Sequence, residues 1–126
     1  MSESIIAERA YKFALEIVKA YKFLVREKEY VLSKQLLRSG TSIGANVNEA
    51  ISSQSKKDFI YKLSIGLKEA RETKYWLRLL KDGEYFDLII YLKLNNECEE
   101  IIKILSSIIL TTKARYFKNS STTHNS

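Results

Sequence analysis

Proline is absent from the 126 residues and glycine occurs only four times, so the strongest helix breakers are missing and few points exist where a helix must stop. A single cysteine, Cys98, excludes an internal disulfide and suits a reducing cytoplasm. The single histidine, His124, lies in a polar tail, which removes nucleophile–histidine catalysis, histidine-assisted acid–base chemistry and conventional zinc ligation. No apolar run approaches the ~18 residues of a membrane-spanning helix, and nothing at the start resembles an export signal. P-loop and dinucleotide fingerprints are missing as well. Glu69 with Glu72, and Glu97 with Glu100, stand one helical turn apart, but lysine and arginine flank both pairs, which disfavours a divalent ion. The inventory therefore points to no catalytic residue, no metal, no cofactor and no membrane.

What remains is an amphipathic pattern. With 45% hydrophobic and 11% aromatic residues, the chain can bury a core without staples, and its length fits one domain. Apolar residues recur at alternating spacings of four and three in Ile6, Ala10, Phe13, Ile17, Ala20 and Leu24, the seam of a helix packed on other helices. The spacing returns in Leu36, Gly40, Ile43, Val47 and Ala50, and again in Phe59, Leu63, Gly66, Ala70, Thr73, Leu77 and Leu80. A fourth seam runs through Tyr91, Leu94, Cys98, Ile101, Leu105 and Ile108. These seams predict an all-α, antiparallel up-down-up-down four-helix bundle over residues 1–118, with helices at about 4–27, 30–53, 56–82 and 86–113. Ser55 and Asp58 have capping-box spacing, Gly83 is placed to end the third helix in the left-handed conformation, and Asp87 can cap the fourth. Residues 119–126 contain no apolar side chain and read as a frayed tail. The segment Arg38 to Asn48 is ambiguous: its Ser, Thr, Gly and Asn content favours a loop. Against that, Gly40 and Gly44 lie on the face of Ile43 and Val47, where small residues let two helix backbones approach.

The run Leu32-Ser33-Lys34-Gln35-Leu36-Leu37-Arg38-Ser39-Gly40-Thr41-Ser42-Ile43-Gly44-Ala45-Asn46, followed by Glu49-Ala50, resembles the signature of the bacterial four-helix-bundle family named for 23S rRNA intervening sequences. Ser55-Lys56-Lys57-Asp58-Phe59, Leu67-Lys68-Glu69-Ala70-Arg71-Glu72-Thr73, Tyr75-Trp76-Leu77 and Cys98-Glu99-Glu100 extend the likeness, which covers about Glu3 to Thr112. The resemblance implies a four-helix bundle assembled into a homopentamer, without known enzymatic activity. That family is itself similar to the accessory variability protein of diversity-generating retroelements, a basic pentameric barrel associated with a reverse transcriptase and nucleic acid. Fold alone does not transfer function, so this second step only raises the expectation of nucleic-acid binding.

Helical geometry gives an independent reason to expect self-association. On the first helix the apolar arc widens through Tyr11, Ala14, Val18, Tyr21 and Val25 to roughly 180°, against the ~100° or slightly more of an ordinary core-facing helix. Either the rest of the chain overhangs this surface, with Tyr11 merely exposing its hydroxyl, or Tyr11, Val18 and Val25 form a subunit contact repeated around a closed ring.

The formal net charge is +6, and residues 54–83 carry eight cations against four anions, while 84–113 carry three against five. Opposite the third seam, Lys57, Tyr61, Lys68, Arg71, Tyr75 and Arg78 share about a third of the helix circumference. Cations interleaved with aromatic rings suit a single-stranded nucleic acid, whose phosphates they neutralise and whose bases stack on tyrosine. The competing reading is a solvated face with ordinary local pairs, Lys68 with Glu72 and Glu69 with Thr73. On the second helix, Lys34, Arg38, Thr41 and Asn48 add a smaller polar strip. The leading expectation is a cytoplasmic, non-catalytic homo-oligomer binding RNA or another nucleic acid, with or without a protein partner; the alternative is a protein-interaction scaffold that binds no nucleic acid.

Overall fold

The four seams become four helices: α1 (Ser2–Arg26), α2 (Leu32–Ile51), α3 (Lys56–Asp82) and α4 (Leu88–Asn125). The computed structural model describes residues 2–125, with side chains for 3–116. No strand occurs among the described residues. Each helix packs on its neighbours in sequence, and α4 returns to α1, leaving α1 and α3, and α2 and α4, diagonally opposite. The pairing is antiparallel throughout. Gly40 sits on Ile17 and Gly44 on Ala10, Glu49 pairs with Lys62 and Arg38 with Glu69, and Glu16 pairs with Lys93 while Arg9 faces Glu100.

The core consists of the expected seams with a few changes. All six seam residues of α1 and all five of α2 are buried, so the segment from Arg38 to Asn48 is helix and its glycines face the core contact. Propensity favoured a loop there, but tertiary packing of Gly40 against Ile17 outweighs it. In α4, Ile109 rather than Ile108 closes the buried row, and Asn95 and the loop residue Phe86 are buried too. Between α2 and α3 the hydroxyls of Ser39 and Thr73 meet at 2.9 Å inside the core.

The ends are held by specific caps. Ser55 Oγ accepts from Asp58 N at 3.0 Å, and Asp87 Oδ1 accepts from Ile90 N at 2.8 Å. The start of α2 has no capping side chain at Val31; instead the buried carboxylate of Glu29 accepts from Ser33 N at 2.6 Å and from Val31 N at 3.3 Å. Helices α1 and α3 end alike, with Glu29 N donating to Leu24 O and Lys28 N to Val25 O, and with Tyr85 N donating to Leu80 O and Glu84 N to Lys81 O. This is the Schellman pattern, whose left-handed residue is Lys28 (φ 63°) in one case and Glu84 (φ 68°) in the other. Gly83 does not take the left-handed conformation expected of it. Its φ is −79°, and glycine is needed instead because a Cβ would lie 2.9 Å from Leu79 O.

Helix α4 continues through Asn125 rather than stopping near residue 113, since no proline or glycine follows Gly83. Residues 119–125, expected as a frayed tail, are the last turns of α4, while Ser126 lies outside the described residues. No helix among the described residues is long and apolar enough to cross a membrane.

Candidate nucleic-acid interface

Helix α3 buries Leu63, Gly66, Ala70, Thr73, Leu77 and Leu80 against its neighbours. Its outer face presents Lys57, Tyr61, Lys68, Arg71, Tyr75 and Arg78, all exposed as their register requires. Tyr61 and Tyr75 are 61% and 57% exposed, and they lie fourteen residues apart, or about 21 Å along the axis at ~1.5 Å per residue. Lys62 Nζ stands 6.0 Å from the Tyr61 ring while pairing with Glu49 at 3.2 Å, and Tyr75 meets Trp76 edge-on at 5.2 Å.

The local pairs that would have made this an ordinary solvated face do not form. Glu72 turns away from Lys68 to accept from Trp76 Nε1 at 3.0 Å and to pair with Arg38 of α2. Glu69 pairs with the same guanidinium at 3.1 Å, and Thr73 Oγ1 donates to the Glu69 backbone carbonyl at 2.8 Å rather than meeting its carboxylate. Among the described residues, Lys57, Lys68 and Arg71 have no ion pair, and Arg78 has one distant partner, Asp82 at 3.8 Å.

The second polar strip fares differently. Lys34 is exposed, but Arg38, read from the sequence as a nucleic-acid contact, is clamped by Glu69, Glu72 and Gln35. Three acceptors of the chain itself thus share the Arg38 guanidinium, unlike Lys57, Lys68 and Arg71. Thr41 Oγ1 donates to Leu37 O at 2.7 Å within its own helix, while Asn48 stays exposed.

On α1, Tyr11 is 64% exposed and Val18 and Val25 are half-buried, on the flank away from the Glu16–Lys93 bridge to α4. A further apolar surface escaped the sequence reading. Tyr30, Val31, Tyr85, Leu88, Ile89 and Leu92 are exposed around the bundle end where Phe23 and Phe86 meet. Its signal was the off-seam run Leu88-Ile89, which heptad counting passes over.

Between α1 and α4 a cleft of about 210 Å³ is lined by Ala20, Phe23, Phe86, Ile90 and Leu94, with Glu16, Lys19 and Lys93 around it. Among the described residues no group of three His, Cys, Asp or Glu side chains is placed to hold a metal ion. Burial pushes the Cys98 thiol up to about 12, and its Sγ donates to Ala70 O at 3.2 Å. The Lys74 hydrogen bond holds Glu99 below the usual carboxylate range, and that of Lys93 does the same for Glu16.

Residues 2–107 match the family described as 23S rRNA-intervening sequence protein. The chain belongs to this family. Among solved structures, it is similar to a protein with unknown function from the S23 ribosomal protein family of Bacteroides thetaiotaomicron VPI-5482, at 54% identity and a TM-score of 0.85. That likeness covers 86% of this chain and 98% of the other. No curated protein matches. Within the 23S rRNA-intervening sequence protein family the four helices are thus a shared scaffold, and membership itself assigns no biochemical role.

Proposed function

We propose that this protein is a non-catalytic, cytoplasmic homo-oligomer whose basic face binds RNA or another nucleic acid. The observation that carries the reading is the outer face of α3, where Lys57, Lys68 and Arg71 have no acidic partner among the described residues and alternate with the exposed rings of Tyr61 and Tyr75. Lysine and arginine neutralise phosphates, and tyrosine supplies a sequence-tolerant platform for unstacked bases. The half-covered strip Tyr11, Val18 and Val25 supports self-association, and the family resemblance favours a pentamer. A ring multiplies the cationic surface.

Binding of a fluorescein-labelled oligouridine tests this. If Lys57, Lys68, Arg71 and Arg78 engage about four phosphates, log affinity falls with log salt at a slope of roughly −3 for a single strand. Lys68→Glu with Arg71→Glu abolishes that binding while leaving the circular dichroism unchanged. An affinity indifferent to salt, or to the double reversal, rules the reading out. Light scattering that gives a mass near 14.6 kDa at micromolar concentration rules out the oligomer.

The exposed apolar end formed by Tyr30, Val31, Tyr85, Leu88, Ile89 and Leu92 favours a second reading, a protein-interaction scaffold without nucleic acid. That reading requires co-purification of one specific protein and no shift of RNA mobility below micromolar concentration.

A further inference from the structure

Arg38 stands beside the basic face of α3 without belonging to it. Its guanidinium reaches across from α2 to the carboxylates of Glu69 and Glu72. Glu72 lies one helical turn beyond Lys68, and Glu69 and Glu72 are sequence neighbours of Lys68 and Arg71. Unclamped, Glu72 would be free to pair with Lys68 one turn away, and Glu69 would add an uncompensated negative charge beside the same face. The clamp is well built: Glu69 is largely covered, Glu72 also accepts from Trp76 Nε1, and Gln35 Oε1 accepts from Arg38 Nε at 3.4 Å.

We propose that Arg38 is a positioning residue for polyanion binding, acting by holding and offsetting Glu69 and Glu72 so that Lys68 stays unpaired and a phosphate at Lys68 and Arg71 meets no bare carboxylate. The proposal rests on the nucleic-acid reading above and adds to it a role for a residue that makes no phosphate contact. In Arg38→Ala the two carboxylates are released. Coulomb repulsion across about 7 Å of water-like medium amounts to a two- to threefold loss per carboxylate, so affinity for the oligouridine falls roughly fivefold at low salt. The loss shrinks as salt rises, because the charges involved are exposed and screened.

Rescue separates this from a direct contact. Arg38→Ala combined with Glu69→Gln and Glu72→Gln binds within about twofold of the unmodified protein and keeps its salt slope, whereas loss of a real phosphate contact lowers that slope by about 0.7. Arg38→Ala combined with Glu97→Gln and Glu100→Gln on α4 changes the net charge equally but is not rescued. Thermal unfolding of every variant accompanies the titrations, so that a loss of fold is told apart from a loss of binding. The proposal is overturned if Arg38→Ala binds normally, if the Glu69 and Glu72 substitutions fail to restore it, or if the α4 substitutions restore it as well. Failure of the unmodified protein to bind the oligouridine overturns the nucleic-acid reading itself, a result distinct from all three.

Discussion

The α1–α2 contact is set by two glycines one turn apart, and the same substitution at each should act in opposite directions. A Cβ added at Gly40 would stand 2.8 Å from both Cγ1 and Cγ2 of Ile17 and 3.2 Å from its Cβ. Ile17 is fully buried and β-branched, with one strongly preferred rotamer on a helix, so it cannot swing aside and the helices must separate instead. Overpacking of this kind costs about 1–3 kcal/mol, from which the helix-propensity gain of ~1 kcal/mol for replacing glycine is subtracted. Gly40→Ala therefore destabilises by up to about 2 kcal/mol. At Gly44 the nearest atoms to an added Cβ, from Ala10, are 3.5–3.6 Å away, an ordinary contact. Only the propensity gain operates, and Gly44→Ala stabilises by about 0.5–1 kcal/mol. Urea unfolding followed by circular dichroism, at one fixed protein concentration because subunit association would shift the midpoint, measures both. Adding Ile17→Ala to Gly40→Ala removes the two clashing atoms, so the double variant is more stable than the sum of the single effects. Equal signs for the two glycine substitutions, or an additive double variant, would refute this account of the contact.

Lys28 and Glu84, the exposed left-handed residues closing α1 and α3, carry a side chain where glycine fits without strain. Lys28→Gly and Glu84→Gly are each expected to stabilise by about 0.5–1 kcal/mol in the same unfolding assay, and no gain at either site counts against the Schellman assignment. Glu29→Ala removes the buried carboxylate that caps α2 and is expected to cost about 1–2 kcal/mol, with Glu29→Gln recovering part of it. Cys98 gives a pH test. Its thiol is raised to about 12 in the fold from an ordinary 9.0, so between those values the unfolded chain has lost a proton that the folded chain retains. Stability contributed by the neutral thiol is complete below pH 9 and falls by about 1.4 kcal/mol per unit above it, and Cys98→Ala flattens that decline. An identical alkaline slope in the variant contradicts the burial argument.

The helical seams were legible because the core of each helix repeats every three or four residues, and almost every seam position is buried. The departures arise where a neighbouring element decides. After Leu105 the buried row steps four residues to Ile109 where strict alternation expected three to Ile108, and Phe86 is buried by its contact with Phe23, a partner sixty-three residues away. The left-handed residue at the end of α3 is Glu84, since the hydrogen-bond frame of the cap outranks the residue preference for glycine. At the candidate interface, periodicity placed Lys57, Tyr61, Lys68, Arg71, Tyr75 and Arg78 on one exposed face, as found. It could not place Arg38. Whether that guanidinium reaches phosphate or carboxylate depends on the register between α2 and α3, which no single-helix pattern contains.

The lone indole, Trp76, gives the protein a built-in optical reporter. Its ring N–H is held by Glu72, the carboxylate that also receives Arg38, and the ring of Tyr75 abuts it edge-on. Fluorescence emission at this one position thus senses both the inter-helix clamp and the aromatic surface beside it, so occupancy of the outer face of α3 can be followed without attaching a dye.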